Sequence, residues 1–108
     1  MKAPYEAQND VDDQGRPAGG YATGTGMTIF WQNGPLRDPE TGETTEPNGA
    51  FVETVLDAVI QRIEHYNETE FRCRENSLAI THLQEAAHWL QARQEERTAR
   101  GVEGTHKL

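Results

Sequence analysis

The stretch Cys73–Leu108, CRENSLAITHLQEAAHWLQARQEERTARGVEGTHKL, decides how this chain folds. Cys73, Asn76, Ile80, Leu83, Ala87 and Leu90 recur at intervals of three and four, which puts them on one stripe of a helix. Asn76 is the polar member of that stripe. Beyond it, Arg93 and Arg97 are four apart and share a face, Arg100 follows, and His106 and Lys107 close a basic end. The spacing predicts a helix over about 70–100, roughly 45 Å long at about 1.5 Å per residue. Gly101 stands where a left-handed C-terminal cap belongs.

Upstream, Val52, Val55, Leu56, Val59, Ile63 and Tyr66 carry the same helical period, with Glu53, Asp57, Gln61, Arg62 and Glu64 turned away. A first helix is expected from Gly49 to Tyr66, with Asn48 as its N-cap. Asn67 and Glu70, three apart, resemble a capping box that opens the second helix. The second helix outruns the first by about ten residues at this spacing, so its last turns lie beyond its own partner. Before the hairpin, Met27, Ile29 and Trp31 alternate with Thr28, Phe30 and Gln32, a period-two strand. Asn33-Gly34-Pro35 stops it. Asp38-Pro39-Glu40-Thr41-Gly42 is a second turn, from which Glu43-Thr44-Thr45-Glu46 returns as a short strand. Residues 1–24 mix acid, glycine and proline with almost no apolar period and read as flexible or peripheral. The fold class is α+β: a short β element at 25–47, then a two-helix hairpin and tail at 48–108, in one domain.

With 108 residues the chain has room for one small domain. Only 34% of it is apolar and its mean hydropathy is -0.85, so its core is modest. Such a chain gains by burying surface against a copy of itself. A formal charge of -8 argues against non-specific binding to DNA or to membranes, which favour broad positive fields. It is compatible with a local phosphate site. The lone Cys73 excludes an internal disulfide and a CxxC zinc pattern. No apolar run approaches membrane-spanning length, and no signal-type apolar segment opens the chain. A soluble, intracellular protein is expected.

Catalysis finds little support. His82 and His88 are six apart, on different faces of a helix, and neither has a partner at metal-site spacing. GxSxG and HExxH are absent from the sequence, and Gly24-Thr25-Gly26 opens a strand rather than a phosphate-cradling helix. No enzyme, cofactor or metal is expected. Asn76 has two readings: a register-fixing polar group on an apolar seam, or a reader of a ligand's polar edge. Tyr66 either completes a packing stripe or offers a stacking face. Arg93 and Arg97 either complement the helix dipole and nearby glutamates, or grip a compact bisphosphate through charge-assisted hydrogen bonds.

The segments FWQNGPL, NGAFVETVLDAVIQRIEHY, CRENSLAITHLQEAAHWL and RTARGVEGTHK resemble the Thoeris anti-defence family of phage proteins, over roughly residues 27–107. That family shares a helical-hairpin domain with the anti-CBASS cyclic-nucleotide sponge. The resemblance implies sequestration without chemistry: binding of glycocyclic ADP-ribose, the signal made by TIR-domain enzymes, in the host bacterial cytoplasm. Carried over by position, it implies Tyr66 as the stacking aromatic, where a phenylalanine is expected, Asn76 as the polar reader, and Arg93 and Arg97 as phosphate-binding groups. Asn76 and Arg93 are 17 residues apart, about 25 Å along one helix, far more than one small ligand spans. Contact with one ligand therefore requires two protomers, and the expected assembly is a homo-oligomer, a dimer or a dimer-based hexamer. The alternatives are a sponge for cyclic di- or trinucleotides and a helical adaptor that binds no ligand.

Overall fold

The computed structural model describes residues 4–37 and 40–101. The turn residues Asp38 and Pro39 and the basic tail with His106 and Lys107 fall outside that range. Two compact units emerge: a sheet unit that runs to Phe51, and a helical unit, Val52–Ala99.

The sheet unit holds three antiparallel strands in the order β1 (Tyr5–Val11), β2 (Pro17–Gly24), β3 (Met27–Trp31). β3 lies where the alternation places it, with Ile29 and Trp31 half-buried and Thr28 and Phe30 exposed. The expectation for residues 1–24 is overturned, because they supply two of the three strands. Their apolar signal is weak for a physical reason. β2 is rich in glycine and alanine, so backbone pairing rather than side-chain burial holds it. Gly20 has φ +131°, and a Cβ there would meet the Gln8 carbonyl oxygen. Only glycine fits that approach of β2 to β1.

Asp12 organises the β1–β2 turn. Its Oδ1 accepts from the Gln14 and Arg16 backbone N–H at 2.9 and 3.0 Å, and Oδ2 accepts from Arg16 Nε at 3.0 Å. The Arg16 backbone N–H, followed by the Gln14 N–H and the Arg16 guanidinium, holds the Asp12 carboxyl below its ordinary value. A carboxylate depressed on folding stabilises above its unfolded value and stops doing so as pH falls through the folded one. Amide protection at Gln14 and Arg16 is therefore expected to hold at neutral pH and to vanish only below the usual carboxylate range. In Asp12→Ala it is expected to be low at every pH, with the β2–β3 pairs unchanged. Hydrogen exchange followed by NMR reads both outcomes, and pH-independent protection in the wild type would refute the assignment.

The segment after β3 returns to it. The Ala50 N–H donates to Phe30 O at 2.7 Å, and the Gln32 N–H donates to Ala50 O at 3.0 Å, which forms a parallel bridge between Trp31 and Ala50. This commits Ala50 to the sheet and delays helix α1 to Val52–Asn67. Asn48 is therefore not the N-cap. Its side chain clamps Asn33 instead, accepting from the Asn33 N–H and donating to the Asn33 carbonyl, both at 2.8 Å. Nor does Glu43–Glu46 form a strand; it contributes one antiparallel bridge, Arg37 to Thr44. Gly34 takes φ +86°, as the Asn33-Gly34-Pro35 turn requires.

In the helical unit, α1 packs against α2 (Arg74–Ala99). The Asn67–Glu70 capping box does not form. The connection is instead a turn in which the Thr69 N–H and hydroxyl both bond the Tyr66 carbonyl, at 3.1 and 2.6 Å. Asn67 Oδ1 accepts from the Cys73 N–H at 3.3 Å and its Nδ2 donates to Ser77 Oγ at 3.1 Å. The first helical bond of α2 runs from the Ser77 N–H to Cys73 O at 3.3 Å, so α2 starts four residues later than the spacing suggests. Its 26 residues exceed the 16 of α1 by ten, matching the expected overhang. Gly101 has φ +74°, in keeping with a left-handed cap.

The α2 stripe is as expected: Cys73, Asn76, Ile80, Leu83, Ala87 and Leu90 are all half-buried. The α1 stripe is displaced. Val55, Leu56, Ile60 and Ile63 turn inward, with Ile60 buried, while Val52, Val59 and Tyr66 are exposed. Ile60 follows Leu56 at i+4 and precedes Ile63 at i-3, so it occupies the middle of the true stripe.

Candidate functional site

All four expected ligand-binding residues lie in the helical unit. Tyr66 is the penultimate residue of α1 and is 40% exposed. Arg62, one turn earlier, donates from Nε to Tyr66 Oη at 3.3 Å, and its guanidinium carbon lies 5.0 Å from the ring centroid. One edge and one face of the ring are therefore engaged by a cation. The Arg62–Tyr66 pair was visible as an i,i+4 spacing, yet Arg62 reads as an outward charge when the stripe is taken alone. A phenylalanine at 66 would keep the face contact and lose the hydroxyl bond.

Asn76 sits in the first turn of α2, half-buried, and its Nδ2 donates to Phe71 O at 3.3 Å. That bond gives it a local structural partner. Its Oδ1 has no hydrogen-bond partner among the described residues, so the amide retains an acceptor. Tyr66 and Asn76 flank the same inter-helix turn, one at the end of α1 and the other at the start of α2.

The two arginines have different environments. Arg93 is exposed and without a partner among the described residues, whereas Arg97 is only 7% exposed and is already partnered within the chain. Arg97 lies seven residues beyond Leu90 and so continues the line of the stripe Cys73–Leu90 along α2. A buried guanidinium needs a partner or its desolvation is not compensated. The face common to Arg93 and Arg97 is thus a rim, with one guanidinium in solvent and the other packed.

α2 runs unbroken from Arg74 to Ala99. Asn76 and Arg93 are therefore separated by the full rise of the helix between them, about 25 Å. The structure brings Tyr66 and Asn76 to one end of the hairpin and places Arg93 and Arg97 toward the other end of α2. Among the described residues, His, Cys, Asp and Glu form no cluster of three or more that could hold a metal ion. No described helix is long and apolar enough to cross a membrane.

The two-helix hairpin, with the strand that precedes it, falls in the part of the chain that known proteins identify. Residues 27–95 match the family described as Acb2/Tad1, hairpin domain. The chain belongs to that family. It is also 42% identical over 80 residues to Thoeris anti-defense 1 of Bacillus phage SBSphiJ7, an alignment that covers 74% of this chain and 52% of that protein. The chain thus spans about half the length of this curated relative.

Proposed function

We propose that this protein is a phage anti-defence sponge that captures the cyclic ADP-ribose signal of the Thoeris system, glycocyclic ADP-ribose, and holds it without degrading it. The observation that carries this reading is the similarity to Thoeris anti-defense 1 across 74% of the chain, beside the family match over residues 27–95, which takes in most of the hairpin. In this reading Tyr66 stacks on the ligand's base, Asn76 reads a polar edge, and Arg93 and Arg97 take the pyrophosphate. The continuous α2 then requires two copies, each pocket drawing Tyr66 and Asn76 from one protomer and the arginines from its mate.

Two features of the chain support self-association. Its core is small: Ala22 and Ile60 are the buried apolar residues among those described. Large apolar side chains stay in solvent on both helices, including Val52, Val59 and Tyr66 on α1 and Trp89, 71% exposed, on α2. A second copy laid along the hairpin would cover such surface and complete the pocket at once. Capture needs a preorganised pocket and no positioned acid, base or nucleophile. The site of action would be the host bacterial cytoplasm, where the signal is made.

Incubating the protein with glycocyclic ADP-ribose, removing free ligand and heat-denaturing the complex tests the reading. Recovery of the signal intact and in stoichiometric amount is expected. A hydrolysed product would identify an enzyme, and no retained ligand would leave a helical adaptor. Because the matched family spans both Acb2 and Tad1 hairpins, the same assay with cyclic di- and trinucleotides decides whether those are the main cargo.

A further inference from the structure

One face of the sheet unit carries a shallow depression open to solvent. Strand register aligns Gln8, Tyr21 and Phe30 in one row across the sheet, so Tyr21 and Phe30 are cross-strand neighbours on one face. Ala22 and Ile29 belong to the other face, and Ala22 is buried there. The depression, of about 410 Å³, adjoins the aromatic row, with Asp10, Tyr21, Phe30, Asn33 and Asn48 in its lining.

The lining has a definite chemistry. Phe30 is 65% exposed, and neither it nor Tyr21 has an aromatic or cationic partner among the described residues. Asp10 is the one charged side chain in the lining. One of its oxygens accepts from Gln8 Nε2 at 2.8 Å, and the other has no partner among the described residues. The Asn48 amide is committed to the Asn33 backbone, while the Asn33 side-chain amide is unengaged among those residues. Aromatic faces are electron-rich and attract cations. A carboxylate beside them adds to that attraction, and the net charge of -8 extends it to longer range. A phosphate would find no cation in this lining. A neutral ring would stack but leave Asp10 to be desolvated without compensation.

We propose that this depression binds an organic cation through a guanidinium group, its plane against the Tyr21–Phe30 row and its N–H groups directed to the Asp10 carboxylate. A planar fork of donors satisfies a ring face and a carboxylate together, which a compact ammonium does less well. The guanidinium comes either from a free arginine-like molecule or from an arginine of a peptide segment. The site is independent of the hairpin and of the sponge reading.

NMR titration of the full chain tests it with three probes: N-acetyl-arginine methylamide, its neutral isostere N-acetyl-citrulline methylamide, and the peptide Gly-Gly-Arg-Gly-Gly. Saturable shifts of Tyr21, Phe30 and Asn33 are expected with the arginine probe, and binding at least about 5-fold weaker with citrulline. Phe30→Ala and Asp10→Asn are each expected to weaken it about 5- to 30-fold. Both side chains are solvent-facing, and unchanged amide spectra elsewhere would report an intact fold. A tighter peptide than amide assigns the guanidinium to a peptide segment, and equal affinities assign it to a free cation. Equal binding of arginine and citrulline, indifference to both substitutions, or no saturable shift at these residues would overturn the proposal.

Discussion

Replacing Arg93 by alanine is expected to weaken capture of glycocyclic ADP-ribose by about 10- to 100-fold while leaving the melting temperature unchanged. Arg93 is exposed and has no partner among the described residues, so its loss removes no described contact from the folded chain. A hydrogen bond from a charged donor is worth about 1.5–3 kcal/mol, and about 1.4 kcal/mol is a tenfold change in affinity. Arg97→Ala should behave differently. The residue is buried and interacts within the chain, so truncation is expected to lower both affinity and stability, because it removes a large packed side chain from α2. Calorimetry with parallel thermal melts separates the two effects. Equal destabilisation by Arg93→Ala and Arg97→Ala would show that Arg93 also has a structural role.

The largest expected effect on stability comes from Ile60→Ala, at roughly 2–5 kcal/mol. Among the described residues Ile60 is the one buried apolar residue of the hairpin, at the centre of the half-buried Val55, Leu56 and Ile63. Small domains have only about 5–15 kcal/mol in total, so a fall in Tm of at least about 10 °C is expected. Val59→Ala, one residue earlier, is expected to cost under about 1 kcal/mol of folding stability, since Val59 is exposed. It is expected to act instead on association. Urea unfolding and sedimentation of both variants check the pair, and reversed rankings would restore the Val52–Val59–Tyr66 stripe as the inward one.

That contrast shows what the sequence could and could not convey. On α2, Leu78 and Trp89 are apolar yet exposed, but only the Cys73–Leu90 set recurs without a break at intervals of three and four, and it is the half-buried one. On α1 apolar residues occupy Val52, Val55, Leu56, Val59, Ile60 and Ile63, enough for two overlapping stripes, and only packing against α2 selects between them. The strand Met27–Trp31 was legible from its alternation. β1 and β2 were not, because Gly19, Gly20 and the exposed polar run of β1 satisfy the sheet through backbone pairing, which leaves no apolar period to read. Helix starts were misplaced where side chains that resemble caps had long-range work: Asn48 clamps Asn33, fifteen residues away, and Asn67 holds the turn to Cys73. Among the candidate site residues, the spacing of Asn76 and Arg93 was legible, and the unbroken α2 gives it physical force. The burial of Arg97 and the Arg62 contact with Tyr66 required packing and rotamers that spacing does not specify.

The central claim is that each pocket is shared between two copies. Mixing the Asn76→Ala chain with the Arg93→Ala chain, after unfolding and refolding them together, tests it most directly. Each variant alone is expected to bind weakly. In a two-fold dimer, random pairing makes half the molecules heterodimers, each with one pocket built from two unaltered halves, so about a quarter of wild-type capacity should return at wild-type affinity. A mixture that binds no better than its components would contradict the shared pocket and place the whole site within one chain.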